Sequence, residues 1–238
     1  MKTRLALTIT LTLVALSTTK AAELVETRAA WVHPIEYDTR AAADATLAKA
    51  QRAGLNMLVP LVKHTGEVHY QKTTYLPVSS KVEQHFDPLA YLIEASHARG
   101  IEVHAWFVNA MVGYSLRGRP EFYRQHPDWF LTDYFGHRSA GWLDFGKQAV
   151  RDQEAAIMID VVRNYPEIDG LHFDYIRYPG STGNRFCFCE ECCREFQSRY
   201  KADLKELFRP QLPASAGLNA NSFTTVTTGS AVALFEDD

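Results

Sequence analysis

The sequence predicts an α/β fold in which apolar strands alternate with helices. Segment 56–61 is an apolar run of strand length without polar alternation, which is typical of a strand covered on both faces. A helix closed by glycine precedes that strand and also the strand predicted at 101–108, with Gly54 and Gly100 at the two boundaries. This repeated unit indicates βαβ connections, parallel strands and right-handed crossovers.

The composition is that of a single globular domain with a sizeable core. The chain has 238 residues, of which 46% are hydrophobic and 12% aromatic, and its formal net charge is -3. A slightly acidic chain without a basic stripe is not expected to bind nucleic acid, because phosphates require clustered Lys and Arg. We expect a weakly charged substrate and no cofactor.

The N-terminal residues 1–22 have the layout of a secretory signal peptide. Lys2 and Arg4 precede an apolar run at 5–16, and small residues follow it. The run is too short to be a stable membrane span. We therefore expect export to the periplasm, the cell surface or the medium, with an ordinary N-terminal helix as the alternative.

The first β/α unit begins with a strand at 27–32. Asp38 or Thr39 is expected to cap the following helix, which ends at Gly54 in the left-handed conformation. The strand at 56–61 completes the unit. A parallel pair of strands is therefore predicted.

The second helix has signals at both ends. Asp87 and Pro88 suit the N-cap and first helical positions, and Arg99 with Gly100 closes the helix. The third strand is predicted at 101–108.

An aromatic-rich insertion separates this strand from the third helix. So many rings are costly to expose, so the insertion either folds down onto the domain or binds something. Its rings are Phe122, Tyr123, Trp129, Phe130, Tyr134, Phe135, Trp142 and Phe145. A helix with the apolar-face positions Val150, Glu154, Ile157 and Val161 is predicted after it.

The fourth strand leads into the most polar part of the chain. A short strand is predicted at Leu171, His172 and Phe173, and Asp174 follows where that strand ends. In α/β enzymes the catalytic and ligand-binding residues lie at the C-terminal ends of the parallel strands. The alternative is that Asp174 only pairs with Arg177 to hold a loop.

These elements define a domain at 23–208. Four β/α units are half of the eight that close a barrel. A fifth helix is expected from the cysteine run to about Phe208. The tail 209–238 is rich in Ser, Thr, Ala, Asn and Gly, and we expect it to be loosely ordered or the foreign end of an interrupted reading frame.

Five short motifs stand out along the chain: RAAWV at 28–32, VHAWF at 103–107, HPDW at 126–129, WLDFG at 142–146 and DGLHFDYIRYP at 169–179. Together they resemble the glycosyl-hydrolase-like 10 family, relatives of the TIM-barrel glycoside hydrolases. The similarity covers roughly 26–200 and ends where a fifth strand would begin. The resemblance implies the first half of a (β/α) TIM-barrel type fold and hydrolysis of a polysaccharide O-glycosidic bond.

Glycoside hydrolysis normally requires two carboxyl groups, and Asp174 is the candidate for the nucleophile or stabilising carboxylate. Arg177 or His172 would keep it ionised. By the two-residue period of a strand, His172 shares a face with Asp174. The alternative for His172 is an interior side chain with satisfied nitrogens.

The general acid is not identified by the sequence. The resemblance implies that it comes from a later strand. Asp144, Asp133 and Glu36 occupy loops that could reach the same site. For Asp144, a role as the cap at the start of the third helix is the favoured interpretation.

Further substrate-binding candidates surround Asp174. His104 and Trp106 share a face of the third strand, and Trp106 is expected in the core unless it forms a sugar-stacking platform. From the insertion, Trp129 and Trp142 are expected to line subsites. The remaining candidates are Asn109, Tyr178 and Asp144.

The four cysteines follow the pattern C-x-C-x-x-C-C at 187–193. Export favours one or two disulfides, and a structural role is expected. The alternative is a metal site with Cys187, Cys189 and Cys192 as ligands. No metal is expected at the catalytic site.

Two functions from different classes remain open. The first is an exported hydrolase that acts on a carbohydrate polymer or oligosaccharide with Asp174 at its centre. The second is a truncated, noncatalytic remnant that binds carbohydrate through its aromatic insertion. A metal-dependent hydrolase is a weaker third hypothesis, because no HExxH-like motif supports it.

Overall fold

The structure is a computed structural model that describes residues 26–113, 121–179 and 186–209. The expected signal peptide at 1–22 and the tail from residue 210 onward lie outside the described residues. The described part of the chain contains the four predicted β/α strands and the helices between them. In chain order the elements are β1 (Ala29–Val32), α1 (Arg40–Arg52), β2 (Met57–His64), β3 (Glu67–Val68), α2 (Pro88–His97), β4 (Glu102–Val108), α3 (Glu121–Arg124), β5 (Phe130–Thr132), β6 (Arg138–Leu143), α4 (Gln148–Asn164), β7 (Gly170–Asp174), α5 (Glu190–Tyr200) and α6 (Leu204–Phe208).

The main sheet consists of β1, β2, β4 and β7 in that order, and all three neighbouring pairs are parallel. The short β3 pairs antiparallel with the end of β2. The strand order follows the chain order, as a barrel of β/α units requires. The predicted α/β fold is therefore confirmed as a partial (β/α) barrel.

Local signals fix the helix ends. Thr39, one of the two predicted caps, accepts a hydrogen bond from the Ala42 backbone N–H at 3.2 Å. Asp87 caps α2 through the Ala90 N–H at 3.3 Å. Gly54 and Gly100 have φ values of 65° and 66°, in the left-handed region where glycine costs least. The predicted starts and stops of both helices are confirmed.

The two faces of the sheet differ sharply at β4. Val103, Ala105 and Phe107 are buried in the core that also contains apolar residues of α2 and α4. His104 and Trp106 alternate with them and are only partly buried on the opposite face. The helix-covered face therefore holds the core, and the other face presents polar and aromatic side chains.

The insertion contains ordered structure that the sequence did not predict. β5 and β6 form an antiparallel hairpin, and Gly136 at its turn has a φ of 97°. The hairpin is held by distant backbone groups: the Val112 N–H donates to the Gly141 carbonyl at 2.8 Å, and the Phe188 N–H donates to the Thr132 carbonyl at 2.8 Å. Because β5 has only three residues and β6 is buried at nearly every position, neither strand shows an alternation of polar and apolar residues.

The predicted fifth helix is wrong in its extent. It is divided into α5 and α6, because Lys201 adopts a left-handed φ of 54° and ends α5. Asp203 then caps α6 through the backbone N–H groups of Lys205 and Glu206. A second capping signal inside the segment therefore outweighs its continuous helical propensity.

Candidate functional site

Asp174 lies at the C-terminal end of β7, where its carboxylate accepts three hydrogen bonds. Oδ1 accepts the Tyr175 backbone N–H at 2.7 Å and Arg177 Nη1 at 3.1 Å, and Oδ2 accepts Trp106 Nε1 at 3.2 Å. The side chain remains 26% exposed. This carboxylate is thus fixed in direction and paired with a cation, yet open to a ligand.

The backbone turns sharply directly after this carboxylate. Tyr175 has a φ of 58°, which is uncommon for a residue with a side chain and costs free energy. The Asn109 and Ala110 N–H groups donate to the carbonyls of Asp174 and Tyr175 at 2.9 and 3.2 Å. These contacts with the end of β4 hold the strained turn and so determine where Asp174 points.

Aromatic rings form a wall next to Asp174. The rings of Trp31 and Trp106 meet edge to face with centroids 4.4 Å apart, and His172 contacts Trp31 at 5.5 Å. Trp31 is 55% exposed, although it lies on a strand of the main sheet. The open cleft that these rings border has a volume of about 750 Å³ and is lined by Trp31, His33, Trp106, Leu171, His172, Phe173 and Asp174.

A second cleft, of about 740 Å³, shares Trp106 and His33 with the first. It is also lined by Tyr175 and by polar side chains from the ends of β2 and β3. Two of its lining residues form a buried hydrogen-bonded pair, in which His69 Nδ1 lies 3.0 Å from Asp38 Oδ1. Trp106 therefore borders both cavities, and its indole N–H donates to Asp174.

His172 and His104 contact each other beside the first cleft. Their Nε2 and Nδ1 atoms are 3.1 Å apart, and His104 Nε2 lies 3.3 Å from Glu102 Oε2. A Cβ atom at Gly170 would lie 2.6 Å from His104 Nδ1, so glycine leaves the space for that ring. Burial, and then the nearby His104, lower the pKa of His172 from its ordinary value of 6.5.

This lowered pKa leads to a testable pH dependence. Between the folded-state pKa and 6.5 the unfolded chain binds more protons at His172, so its contribution to stability is complete above pH 6.5 and decreases as the pH falls. NMR titration should give His172 a pKa below 6.5, and His104→Gln should raise it. In the control, His126→Gln in the distant insertion should leave it unchanged. A His172 midpoint at or above 6.5 would contradict the prediction.

A buried polar network lies behind the site, and the sequence interpretation did not identify it. Lys63 Nζ lies 2.8 Å from Glu154 Oε2, with side-chain exposures of 0% and 2%, and it donates to the Val108 and Asn109 carbonyls. Asn109 Nδ2 donates to the same carboxylate oxygen at 3.2 Å, and Tyr123 Oη donates to Oε1 at 3.1 Å. The network fixes the end of β4, against which Asp174 is held.

Two signals in the sequence pointed to this network. Lys63 directly follows the apolar run 57–62 of β2, and Glu154 occupies a position on the apolar face of α4. All four predicted face positions of α4 are buried, including that glutamate. A charge on each of two buried faces indicates a pair, because an isolated buried charge is very costly.

The structure does not bring all predicted site residues to the clefts. Trp129 stacks on His126 with centroids 4.1 Å apart and packs against the core. Trp142 is buried beneath Tyr175, and Asn109 is buried in the polar network. None of these three is among the residues that line the two clefts. Trp106, expected in the core, lines both.

The three loop carboxylates considered as the general acid are each engaged elsewhere. Glu36 accepts the His33 backbone N–H at 2.9 Å, and Asp133 holds the hairpin turn through His137. Asp144 lies among the cysteines, with Cys187 Sγ 3.1 Å from its Oδ2. None of the three is among the residues that line the two clefts.

The interpretation of Asp144 as a helix cap is wrong. Lys147 is the N-cap residue of α4 and makes no side-chain capping bond. The Asp144 side chain instead accepts the Gly146 N–H and faces three thiols. Tyr178 lies near the same thiols, and burial together with these acidic neighbours raises its pKa to about 12.

The fold and the site define a partial (β/α) barrel with a carboxylate at the C-terminal end of one of its strands. Comparison with protein families matches residues 26–202 to Glycosyl hydrolase-like 10. The chain belongs to this family. The resemblance found in the sequence motifs is confirmed.

Curated relatives carry glycosidase names. The chain is 34% identical over 154 residues to "Glycosyl hydrolase DigH" of Escherichia coli K12, which corresponds to 57% of this chain and 34% of that protein. It is 30% identical over 139 residues to "Glycosyl hydrolase YngK" of Bacillus subtilis, 54% of this chain and 26% of that protein. The similarity thus spans about a third of the relatives' length or less.

Solved structures support the fold. An α-L-fucosidase isoenzyme 2 from Paenibacillus thiaminolyticus gives a TM-score of 0.52 at 17% identity, over 76% of this chain and 28% of that chain. A hypothetical protein from Ruminiclostridium thermocellum gives 0.50 at 18% identity, over 77% and 93%. Across the described ranges, no helix combines the length and apolar character needed to cross a membrane.

Proposed function

We propose that this chain is an exported protein that hydrolyses an O-glycosidic bond in a carbohydrate polymer or oligosaccharide, with Asp174 as nucleophile or stabilising carboxylate. The observation that carries the proposal is the Asp174 carboxylate, held by three donors beside an open aromatic cleft. Family membership and the names of the relatives support a glycosidase-type reaction.

The contacts of Asp174 suit a group that must face a developing positive charge. Glycosidic cleavage passes through an oxocarbenium-like transition state, which an ionised carboxylate stabilises. Arg177 Nη1 lies 3.1 Å from Asp174 Oδ1, so a cation stands beside this carboxylate. The indole N–H of Trp106 holds the second oxygen, so one carboxylate lone pair can be directed at the anomeric carbon.

The rings beside Asp174 suit a sugar. Trp31 and Trp106 offer apolar surface next to hydrogen-bonding groups, the combination that amphipathic ligands require. The second cleft, which Trp106 also borders, provides room for a further ring, with His33, Asp38 and Lys81 among its polar lining. We infer subsites in both clefts.

One observation favours the noncatalytic alternative. Hydrolysis needs a second carboxyl group about 5 to 9.5 Å from the first, and none of Glu36, Asp133 and Asp144 is among the residues that line the two clefts. The second candidate function is therefore carbohydrate binding at the same cleft without cleavage.

Binding and cleavage distinguish the two functions. The purified chain is screened on a glycan array, and each bound oligosaccharide is then incubated with it and analysed for new reducing ends. The enzyme hypothesis expects both binding and product, whereas the remnant hypothesis expects binding alone. Absence of binding to every glycan would refute both.

Trp31 provides a test of the cleft that does not depend on turnover. Trp31→Ala should weaken oligosaccharide binding by roughly tenfold, because it removes an exposed ring worth about 0.5–1.5 kcal/mol beyond its buried area. The matched control is Tyr200→Ala, which removes an exposed ring from α5. Titration calorimetry measures both. Equal weakening by the two variants would argue against a subsite at Trp31.

A further inference from the structure

Three thiols and a buried carboxylate converge beyond the end of β6. The Sγ atoms of Cys187, Cys189 and Cys192 lie 3.1, 3.4 and 3.5 Å from Asp144 Oδ2. One ligand atom from each of the four residues lies within 4.8 Å of all the others. Asp144 has no exposed surface. The cluster is therefore compact, with Cys187 buried and Cys189 and Cys192 partly buried, and none of its residues lines the Asp174 cleft.

Three of the four cysteines contact Asp144, and the fourth, Cys193, does not. None of the four forms a disulfide with another, and Cys193 Sγ is directed at the Phe188 carbonyl at 3.5 Å. A disulfide between any two of the other three would leave the third thiol against the buried Asp144 carboxylate. A tetrahedral ion satisfies all four groups at once.

The distances fit zinc. A tetrahedral Zn²⁺ with Zn–S of about 2.3 Å and Zn–O of about 2.0 Å separates sulfur from oxygen by about 3.5 Å. The three sulfur–oxygen distances of 3.1 to 3.5 Å are close to this value. Ca²⁺ and Mg²⁺ prefer oxygen ligands, whereas three soft thiolates select zinc among the common divalent ions without redox chemistry.

Backbone groups around the cluster support it. The Cys192 N–H donates to Cys189 Sγ at 3.4 Å, and the Thr132 N–H donates to Cys187 Sγ at 3.5 Å. Such outer contacts orient metal ligands. A Cβ atom at Gly146 would lie 2.9 Å from Asp144 Oδ1 and 3.1 Å from Cys192 Sγ. Only glycine leaves this space for two of the ligands.

We propose that Asp144, Cys187, Cys189 and Cys192 bind a structural zinc ion. Four protein ligands leave no open position for a reactive water, so the ion acts on structure and not on the reaction. It cross-links the segment before α4 to the start of α5.

Metal analysis of the full 238-residue chain tests the site. The chain purified from zinc-containing medium should carry about one zinc ion. Cys189→Ser and Asp144→Ala should each lower zinc affinity by more than roughly tenfold, since even the loss of an outer contact costs that much. Cys193→Ser is the matched control and should retain the ion.

A second measurement avoids variants that fail to fold. The wild-type chain is stripped with a chelator and titrated with Co²⁺, which should produce a thiolate charge-transfer band and the visible absorption of a tetrahedral ion. Absence of both zinc and these bands would overturn the proposal. So would a disulfide within the three cysteines in the unreduced mass spectrum, or equal metal loss in Cys193→Ser.

Discussion

Asp174→Asn is expected to lower the rate of oligosaccharide cleavage by roughly a hundredfold to a thousandfold, with little change in oligosaccharide affinity. The amide keeps the size and most of the hydrogen bonds of the carboxylate but loses the charge that faces the transition state. An interaction made only in the transition state affects kcat, whereas uniform binding affects KM. Steady-state kinetics with calorimetry of binding measures the difference.

The control for this variant is Asp169→Asn, the same substitution at the opposite end of the same strand. Asp169 accepts the Val103 N–H and pairs with His97, far from the cleft. The Asp169→Asn variant should therefore leave kcat unchanged. Undiminished turnover in Asp174→Asn would remove this carboxylate from the mechanism, as would an equal loss in both variants.

Glu154→Leu is expected to destabilise the fold by about 3–5 kcal/mol, because it leaves the Lys63 ammonium buried without its carboxylate. It also removes the acceptor for Asn109 and Tyr123. Urea denaturation followed by circular dichroism measures the loss. Since this network fixes the end of β4, surviving protein should also bind oligosaccharide less tightly.

The double variant Lys63→Met with Glu154→Leu is the control. Replacing a whole buried ion pair by apolar residues is often neutral or stabilising, so the double variant should recover much of the lost stability. A double variant that is less stable than Glu154→Leu would show that cavity formation, and not the uncompensated charge, causes the effect.

Much of the fold was available from local signals. Thr39, Gly54, Asp87 and Gly100 act on their immediate backbone neighbours, and the helix ends follow from them. The β5–β6 hairpin was missed because β5 has only three residues and β6 is buried almost throughout, so neither strand shows an alternation of polar and apolar residues. Lys201 was missed because a left-handed non-glycine residue has no distinctive sequence signal.

The candidate site, like the fold, was predicted from the sequence only in part. The sequence identified Asp174 and its neighbour Arg177 from their position at a strand end. It did not predict the hydrogen bond between Trp106 and Asp174, or the contact of Asp144 with the cysteines, because the members of each pair are separated by more than 40 residues. Such contacts depend on strand register and on the path of the insertion.

The sequence by itself determined the β/α order, the helix caps, the family motifs and the acidic residue at the end of β7. These properties depend on local backbone preference and on the periodicity of apolar side chains. Only the tertiary structure decided that Trp106 faces the cleft, that Lys63 pairs with Glu154 and that Asp144 meets three thiols. Each of these depends on the packing of distant segments, which sets the distances between charged and polar atoms.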